Sequence, residues 1–171
     1  LSAFIQGAGR VFAVDCIESR LQVAQQFGAE TINYEKEHPV ETILRLTGGI
    51  GVDRAIDAVG VDANMPHSGP AASEARQHLQ EFQMTQHQVV PQAHPSNGNW
   101  HPGDAPPQAF LWACQSLAKG GTLSIVGVYP PNLQYFPIGE AMNRNFTVRM
   151  GNCPHRRYIP TLLDVVRSGA I

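Results

Sequence analysis

Charge of one sign, cysteine and long apolar runs are all scarce in this sequence, and each shortage removes a class of function. The 171 residues carry 12 basic and 14 acidic side chains, a formal net charge of −2. That is too little of either sign to build the field that draws nucleic acid or an anionic lipid surface. The three cysteines, Cys16, Cys114 and Cys153, lie far apart, which fits neither a disulfide framework nor a thiolate metal site. Reduced thiols in a cytoplasmic protein are expected. No apolar run approaches a membrane span, and no basic region followed by an apolar stretch and a small-residue cleavage site opens the chain. An initiator methionine is lacking too. The chain opens at Leu1 inside a helical phrase, as expected of a fragment of a longer protein. Its length predicts one domain with a sizeable core.

What is present is a rhythm of strand and helix. Leu1, Phe4 and Ile5 share a helical face that Gly7 and Gly9 stop. The run Arg10-Val11-Phe12-Ala13-Val14-Asp15 is mostly apolar up to one carboxylate, the mark of a strand covered on both faces. A helix over 18–27 follows, with Leu21, Ala24 and Phe27 on one face and Gly28 as its stop, and then a short strand over 30–34. Pro39 opens a helix whose Val40, Ile43, Leu44 and Thr47 share a face, closed by Gly48-Gly49. The phrase Val52-Asp53-Arg54-Ala55-Ile56-Asp57-Ala58-Val59-Gly60 reads as the next strand. A helix over 108–119 and a strand Thr122-Leu123-Ser124-Ile125-Val126-Gly127-Val128 come after a long interruption. A strand over 146–150 and a helix with Ile159, Leu162, Leu163 and Val166 at the spacing of a buried stripe complete the chain. Alternating strands and helices predict an α/β fold, a doubly wound parallel sheet of the Rossmann type.

The interruption, residues 61–107, is expected to be an inserted, lid-like loop within one partial dinucleotide-binding domain spanning 1–171. Ala72, Ala75, Leu79 and Phe82 allow one amphipathic helix, while Pro91, Pro95, Pro102, Pro106 and Pro107 with Gly98 and Gly103 break its second half. Loops of this length in compact domains are commonly functional. His67, His78, His87, His94 and His101 lie within it, but their spacings share no helical face and no carboxylate or thiolate cluster supports them. They read as solvated loop histidines, and no metal site is expected.

Asp15 carries the chemistry. A carboxylate at the C-terminal tip of a second strand accepts hydrogen bonds from the adenosine ribose hydroxyls and repels a 2′-phosphate, so it favours NAD over NADP. It serves equally well as a turn or helix cap, and both readings stand at this point. Gly7-Ala8-Gly9 is not a phosphate-cradling fingerprint, because it follows a helix, precedes a strand and has Phe12 where a third glycine would fall. The fold is therefore expected to be incomplete, lacking its first strand and its phosphate-binding loop. In the strand order 3-2-1-4-5-6 the absent strand lies between the second and the fourth, which predicts a gapped or rearranged sheet, or weak NAD binding.

Arg10 to Arg20, the phrase from Gly51 to Gly60, and Lys119-Gly120-Gly121-Thr122-Leu123 with Ile125-Val126-Gly127-Val128 together resemble the cofactor domain of zinc-dependent medium-chain alcohol dehydrogenases. The insert and Arg149-Met150-Gly151-Asn152-Cys153-Pro154 are similar to the glutathione-independent formaldehyde dehydrogenase branch. The resemblance implies that Asp15 holds the ribose with Cys16 beside it and Arg20 reaching the same sugar. It implies that Ala58, Val59 and Gly60 line the cofactor crevice, that Val126, Gly127 and Val128 face the nicotinamide, and that Gly151, Asn152 and Cys153 meet its carboxamide. For Val59, Val126 and Val128 strand core is an equal reading, as tight turns are for the glycines. The resemblance further implies hydride transfer from a zinc-bound alcohol or hydrated aldehyde to NAD, in a parent enzyme that supplies the zinc. This chain would bind no zinc, hold no catalytic residue and be inactive alone. The small alcohol or aldehyde is a partner of the parent, and pairing into a homo-oligomer through the strand at 146–150 is compatible with its apolar run.

Other classes fare worse. A short-chain dehydrogenase needs Tyr followed by Lys four residues on, but Tyr34, Tyr129, Tyr135 and Tyr158 are followed there by His38, Leu133, Gly139 and Leu162. A methyltransferase also uses an acid after its second strand, yet the glycine-ended strand at Gly60 and the Ile-Val-Gly-Val phrase suit a dinucleotide better. A non-catalytic NAD-sensing or partner-binding module remains the rival reading.

Overall fold

The computed structural model describes residues 1–90, 101–133 and 136–169. The proline- and glycine-broken segment holding Pro91, His94, Pro95 and Gly98, and with it Tyr135, lies outside them. In chain order the elements are α1 (Ser2–Ile5), β1 (Phe12–Asp15), α2 (Glu18–Gln26), β2 (Glu30–Asn33), α3 (Pro39–Leu46), β3 (Val52–Asp57), α4 (Gly69–Gln77), α5 (Leu79–Val89), α6 (Gln108–Ser116), β4 (Leu117–Ile125), α7 (Ile138–Asn143), β5 (Thr147–Met150) and α8 (His155–Arg167). Every strand pairing is parallel, as the α/β alternation predicts.

The sheet is split. Among the described residues β1 pairs with β2 alone, while β3, β4 and β5 form a second sheet in that order. The break falls between β1 and β3, where the strand order 3-2-1-4-5-6 places a first strand. Among the described residues no strand fills that position, and Val14 and Ile56 stand 38% and 62% exposed beside it. The two parts are joined by helices instead. Val40 of α3, Ala71 of α4 and Trp112 of α6 form one buried cluster, with Tyr34 and Leu44 against it. The Tyr34 and Trp112 rings lie 5.5 Å apart.

The core under the three-stranded sheet is built from Phe110, Cys114, Leu117 and Leu123. Burial pushes the Cys114 thiol up to about 12, so it is an inert core group. Phe110, Cys114 and Leu117 all face inward as the helical pattern predicts, but α6 ends at Ser116 rather than at Lys119. Leu117 is already extended (φ −70°, ψ 143°) and pairs with Val52, so full burial in the sheet wins over helix propensity. The register then slips across Ala118, Lys119, Gly120 and Gly121 before Thr122 meets Arg54.

The insert is folded where it is described. α4 and α5 occupy its first half, and Ala75, Phe82 and Ala105 form a third buried cluster against Met65 and Leu111. Burying Phe82 alone is worth about 2–3 kcal/mol. Polar bonds tie the insert to the rest of the fold: the Glu35 carboxylate accepts from the His67 and Ser68 N–H groups and the Ser68 hydroxyl, and His38 Nε2 meets Glu74 Oε2 at 2.5 Å; within the insert, Gly103 N–H donates to Val61 O at 2.9 Å.

The last helix departs from expectation. Ile159, Leu162, Leu163 and Val166, read as a buried stripe, are 47–54% exposed, and no residue of α8 is buried. Periodicity records an amphipathic helix, not what covers it. Phe27 is likewise exposed at the end of α2.

Candidate functional site

β1 ends on Asp15. Its Oδ1 accepts from the backbone N–H groups of Cys16 (2.7 Å) and Ile17 (2.9 Å), which leads the chain into α2. The turn reading is therefore met by one oxygen, while the N-cap of α2 is Ile17, with no side-chain cap bond. The other, Oδ2, lies 3.6 Å from Arg20 Nη1, longer than a hydrogen bond, so it keeps acceptor capacity. Asp15, Cys16 and Arg20 thus come together in space. Cys16 is half-buried. Burial, followed by a hydrogen bond with Cys16, pushes the Tyr34 phenol above its ordinary range, so Tyr34 backs this corner as a neutral hydroxyl.

The second cluster lies at the C-terminal edge of the other sheet. Asp57 and Ile125 are register partners, as are Ile125 and Met150, so the residues after the three strands follow one edge. The strands are shorter than the sequence predicts. β3 ends at Asp57 and β4 at Ile125, so Ala58, Val59, Val126, Gly127 and Val128 lie in the turns beyond the strands, and Gly60 opens a single 3-10 turn, Gly60–Asp62. The cause is Asp57. Its Oδ1 accepts from the Val59 and Gly60 N–H groups, both at 2.9 Å. Its carbonyl accepts from the Val126 and Gly127 N–H groups at 2.8 and 2.9 Å. Its Oδ2 accepts from the Tyr129 hydroxyl at 2.5 Å. The Val126 bond is the last rung of the parallel ladder, and the Gly127, Val59 and Gly60 amides turn back to the same residue.

The two turns touch. A Cβ on Gly127 would lie 2.2 Å from the Gly60 nitrogen, and one on Gly60, which sits at φ +66°, would lie 2.4 Å from the Val128 nitrogen. Val61 N–H donates to Val128 O at 3.1 Å. Val59, Val126 and Val128 are 43%, 61% and 76% exposed, so they are not strand core. They give the edge an apolar surface ringed by backbone groups, at the place where open α/β sheets bind ligands. Gly151, Asn152 and Cys153 continue the same edge past Met150 and are exposed. The Asp15 corner belongs to the other sheet.

Sequence reasoning passed over Asp57, which is 2% exposed. The available signal was a carboxylate inside an apolar strand, since charged side chains are almost never fully buried unless paired. Among the described residues no three His, Cys, Asp or Glu side chains gather as metal ligands. His67, His87 and His101 are exposed, and His78 Nδ1 lies 3.1 Å from Glu81 Oε2. Among the described residues, no helix is long and apolar enough to cross a membrane.

Comparison with known proteins gives this geometry a family context. Residues 1–72 match the family described as zinc-binding dehydrogenase. The zinc-type alcohol dehydrogenase-like protein AdhB of Bacillus subtilis is 31% identical over 98% of this chain and 38% of its own length. A protein of Mycobacterium tuberculosis named as a zinc-binding alcohol dehydrogenase is 33% identical over 99% of this chain and 32% of its own length. The chain therefore spans about a third of these relatives. Among solved structures, an alcohol dehydrogenase from Thermus sp. ATN1 superposes with a TM-score of 0.68 at 24% identity, over 99% of this chain and 36% of that one.

Proposed function

We propose that this chain is the NAD-binding portion of a zinc-type alcohol dehydrogenase, with Asp15, Cys16 and Arg20 holding the adenosine ribose and the edge of the three-stranded sheet holding the nicotinamide half. The observation that carries the reading is the free acceptor on Asp15. One carboxylate oxygen is spent on the Cys16 and Ile17 amides, and the other faces Arg20 beyond hydrogen-bond distance, so a ribose hydroxyl can donate to it while Arg20 closes on the same sugar. A 2′-phosphate there would meet the negative charge of Asp15. At the other end, Val59, Val126 and Val128 offer exposed apolar side chains, and Gly151, Asn152 and Cys153 add backbone and amide groups suited to a carboxamide.

When bound, NAD supplies the hydride acceptor. The residues named above bind and orient it. The zinc is a different matter. In this reading the metal is supplied by the parent polypeptide, as the resemblance to zinc-type dehydrogenases implies. The small alcohol or aldehyde is bound by the parent. The formaldehyde dehydrogenase branch is the finer assignment, supported by the insert between β3 and α6 and by the Arg149-Met150-Gly151-Asn152-Cys153-Pro154 phrase. The protein acts in the cytoplasm, and pairing of two copies through β5 is compatible with the edge position of that strand.

The gap between β1 and β3 completes the reading. A strand entering there from the parent polypeptide would pair with both open edges and carry the phosphate-binding loop to the middle of the site. Calorimetric titration with NAD and with NADP tests the proposal. NAD is expected to bind, NADP to bind at least about tenfold more weakly, and Asp15→Asn to narrow that difference. Equal affinity for the two cofactors in the unsubstituted chain would overturn the ribose assignment.

A further inference from the structure

Asp57 is a buried carboxylate with no part in the cofactor contacts named above, yet five donors converge on it, the last rung of the β3–β4 ladder and four more from the two turns beyond it. Its side chain caps the turn after β3 through the Val59 and Gly60 amides, its main-chain carbonyl takes both amides of the turn after β4, and its second carboxylate oxygen takes the Tyr129 hydroxyl that follows that turn. A capping residue normally serves one turn. This one ties together the two turns whose exposed valines form the apolar lip of the edge, and Gly60 and Gly127 remove the Cβ atoms that would keep those turns apart.

We propose that Asp57 is the positioning residue of this edge: it fixes the turns after β3 and β4 at one separation, so that Val59, Val126 and Val128 meet the nicotinamide half of the dinucleotide as a single surface. The inference rests on the cofactor reading above and adds to it a division of labour. The Asp15 corner recognises the adenosine half, and Asp57, which touches no cofactor atom, sets the geometry that the other half requires. Tyr129 is the reporter of the clamp. Its phenol is pushed up first by burial and then by the bond to Asp57.

The test compares the unsubstituted chain with Asp57→Asn, which keeps the volume and one acceptor oxygen but cannot accept on both sides, and with Tyr129→Phe. Affinities for NAD and for AMP are measured separately, because AMP engages the Asp15 corner alone. The expected result for Asp57→Asn is an NAD affinity lowered about tenfold with AMP unchanged within about twofold, and a Tyr129 titration moved down toward its ordinary range. Tyr129→Phe is expected to lower NAD affinity less and to spare AMP. Equal losses for NAD and AMP would reduce Asp57 to a general stabiliser and overturn the proposal. Unchanged NAD affinity with a displaced Tyr129 titration would overturn it too, since the clamp would then be broken without consequence. If the unsubstituted chain bound neither ligand, the cofactor reading itself would fail and this inference with it, an outcome distinct from the other two.

Discussion

Two aspartates each end a parallel strand in this molecule, and they do different work with the same local geometry. Asp15 after β1 and Asp57 after β3 both turn Oδ1 back onto the amides that follow. They part at Oδ2. That of Asp15 faces an exposed arginine beyond hydrogen-bond distance, while that of Asp57 is sealed by Tyr129. The Asp15 side chain keeps 29% of its surface, whereas Asp57 is 2% exposed. On the reading proposed above, a strand-end acid can serve as a ligand group when one oxygen stays accessible, and it is a scaffold group when both are claimed. The identity of the residue does not decide which.

Substitution should pull the two apart. Asp57→Ala leaves two turn amides and a buried hydroxyl without an acceptor and is expected to cost roughly 4 kcal/mol in urea unfolding. Asp15→Ala removes only a half-buried turn acceptor for the Cys16 and Ile17 amides and should cost about 1 kcal/mol. Equal costs would erase the distinction. Next in size, Gly127→Val forces a side chain into the Gly60 backbone. A loss on the order of 3 kcal/mol is expected, since backbone cannot yield as a flexible side chain does.

A third carboxylate sharpens the contrast by pH. Burial alone would raise the pKa of Glu35, but the His67 and Ser68 amides and the Ser68 hydroxyl outweigh it and hold the group below its ordinary 4.5. A depressed folded-state value means that its stabilisation is present above 4.5 and fades as pH falls through the lower folded value. Amide exchange at His67 and Ser68 should therefore accelerate below pH 4.5, ahead of exchange in the Leu123 core. Simultaneous acceleration would mean that the insert has no anchor of its own. The smallest effect is expected on α8. Leu163→Ala, at an exposed position, should change stability by less than about 0.5 kcal/mol, whereas truncation of Leu123 should cost roughly 3 kcal/mol.

The same contrast explains what could be read from the chain. Asp15 was legible because its meaning is local: an apolar run, one acid, then a helix. The stripe of α3 was legible for the same reason, and Val40 and Ile43 are buried as it predicts. The split of the sheet followed from strand order alone. Asp57 was not legible as a hub, because its decisive partner Tyr129 lies 72 residues away. The start of β4 was hidden because Leu117 satisfies the helical stripe of α6 and the ladder equally, and only pairing with Val52 chooses between them. The α8 stripe misled because a pattern of apolar residues states which face avoids water, not whether a partner covers it. The first half of the insert was legible as one amphipathic helix through Ala72, Ala75, Leu79 and Phe82, and the structure divides it into α4 and α5 at His78, with Ala72, Ala75 and Phe82 buried.

The most direct test of the two-part site is amide chemical-shift mapping of the chain titrated with AMP and then with NAD. The account predicts that AMP perturbs Asp15, Cys16 and Arg20 alone, and that NAD perturbs these together with Val59, Gly60, Val126, Gly127, Val128 and the residues from Gly151 to Cys153. Perturbations from NAD confined to one cluster, or falling on neither, would contradict it.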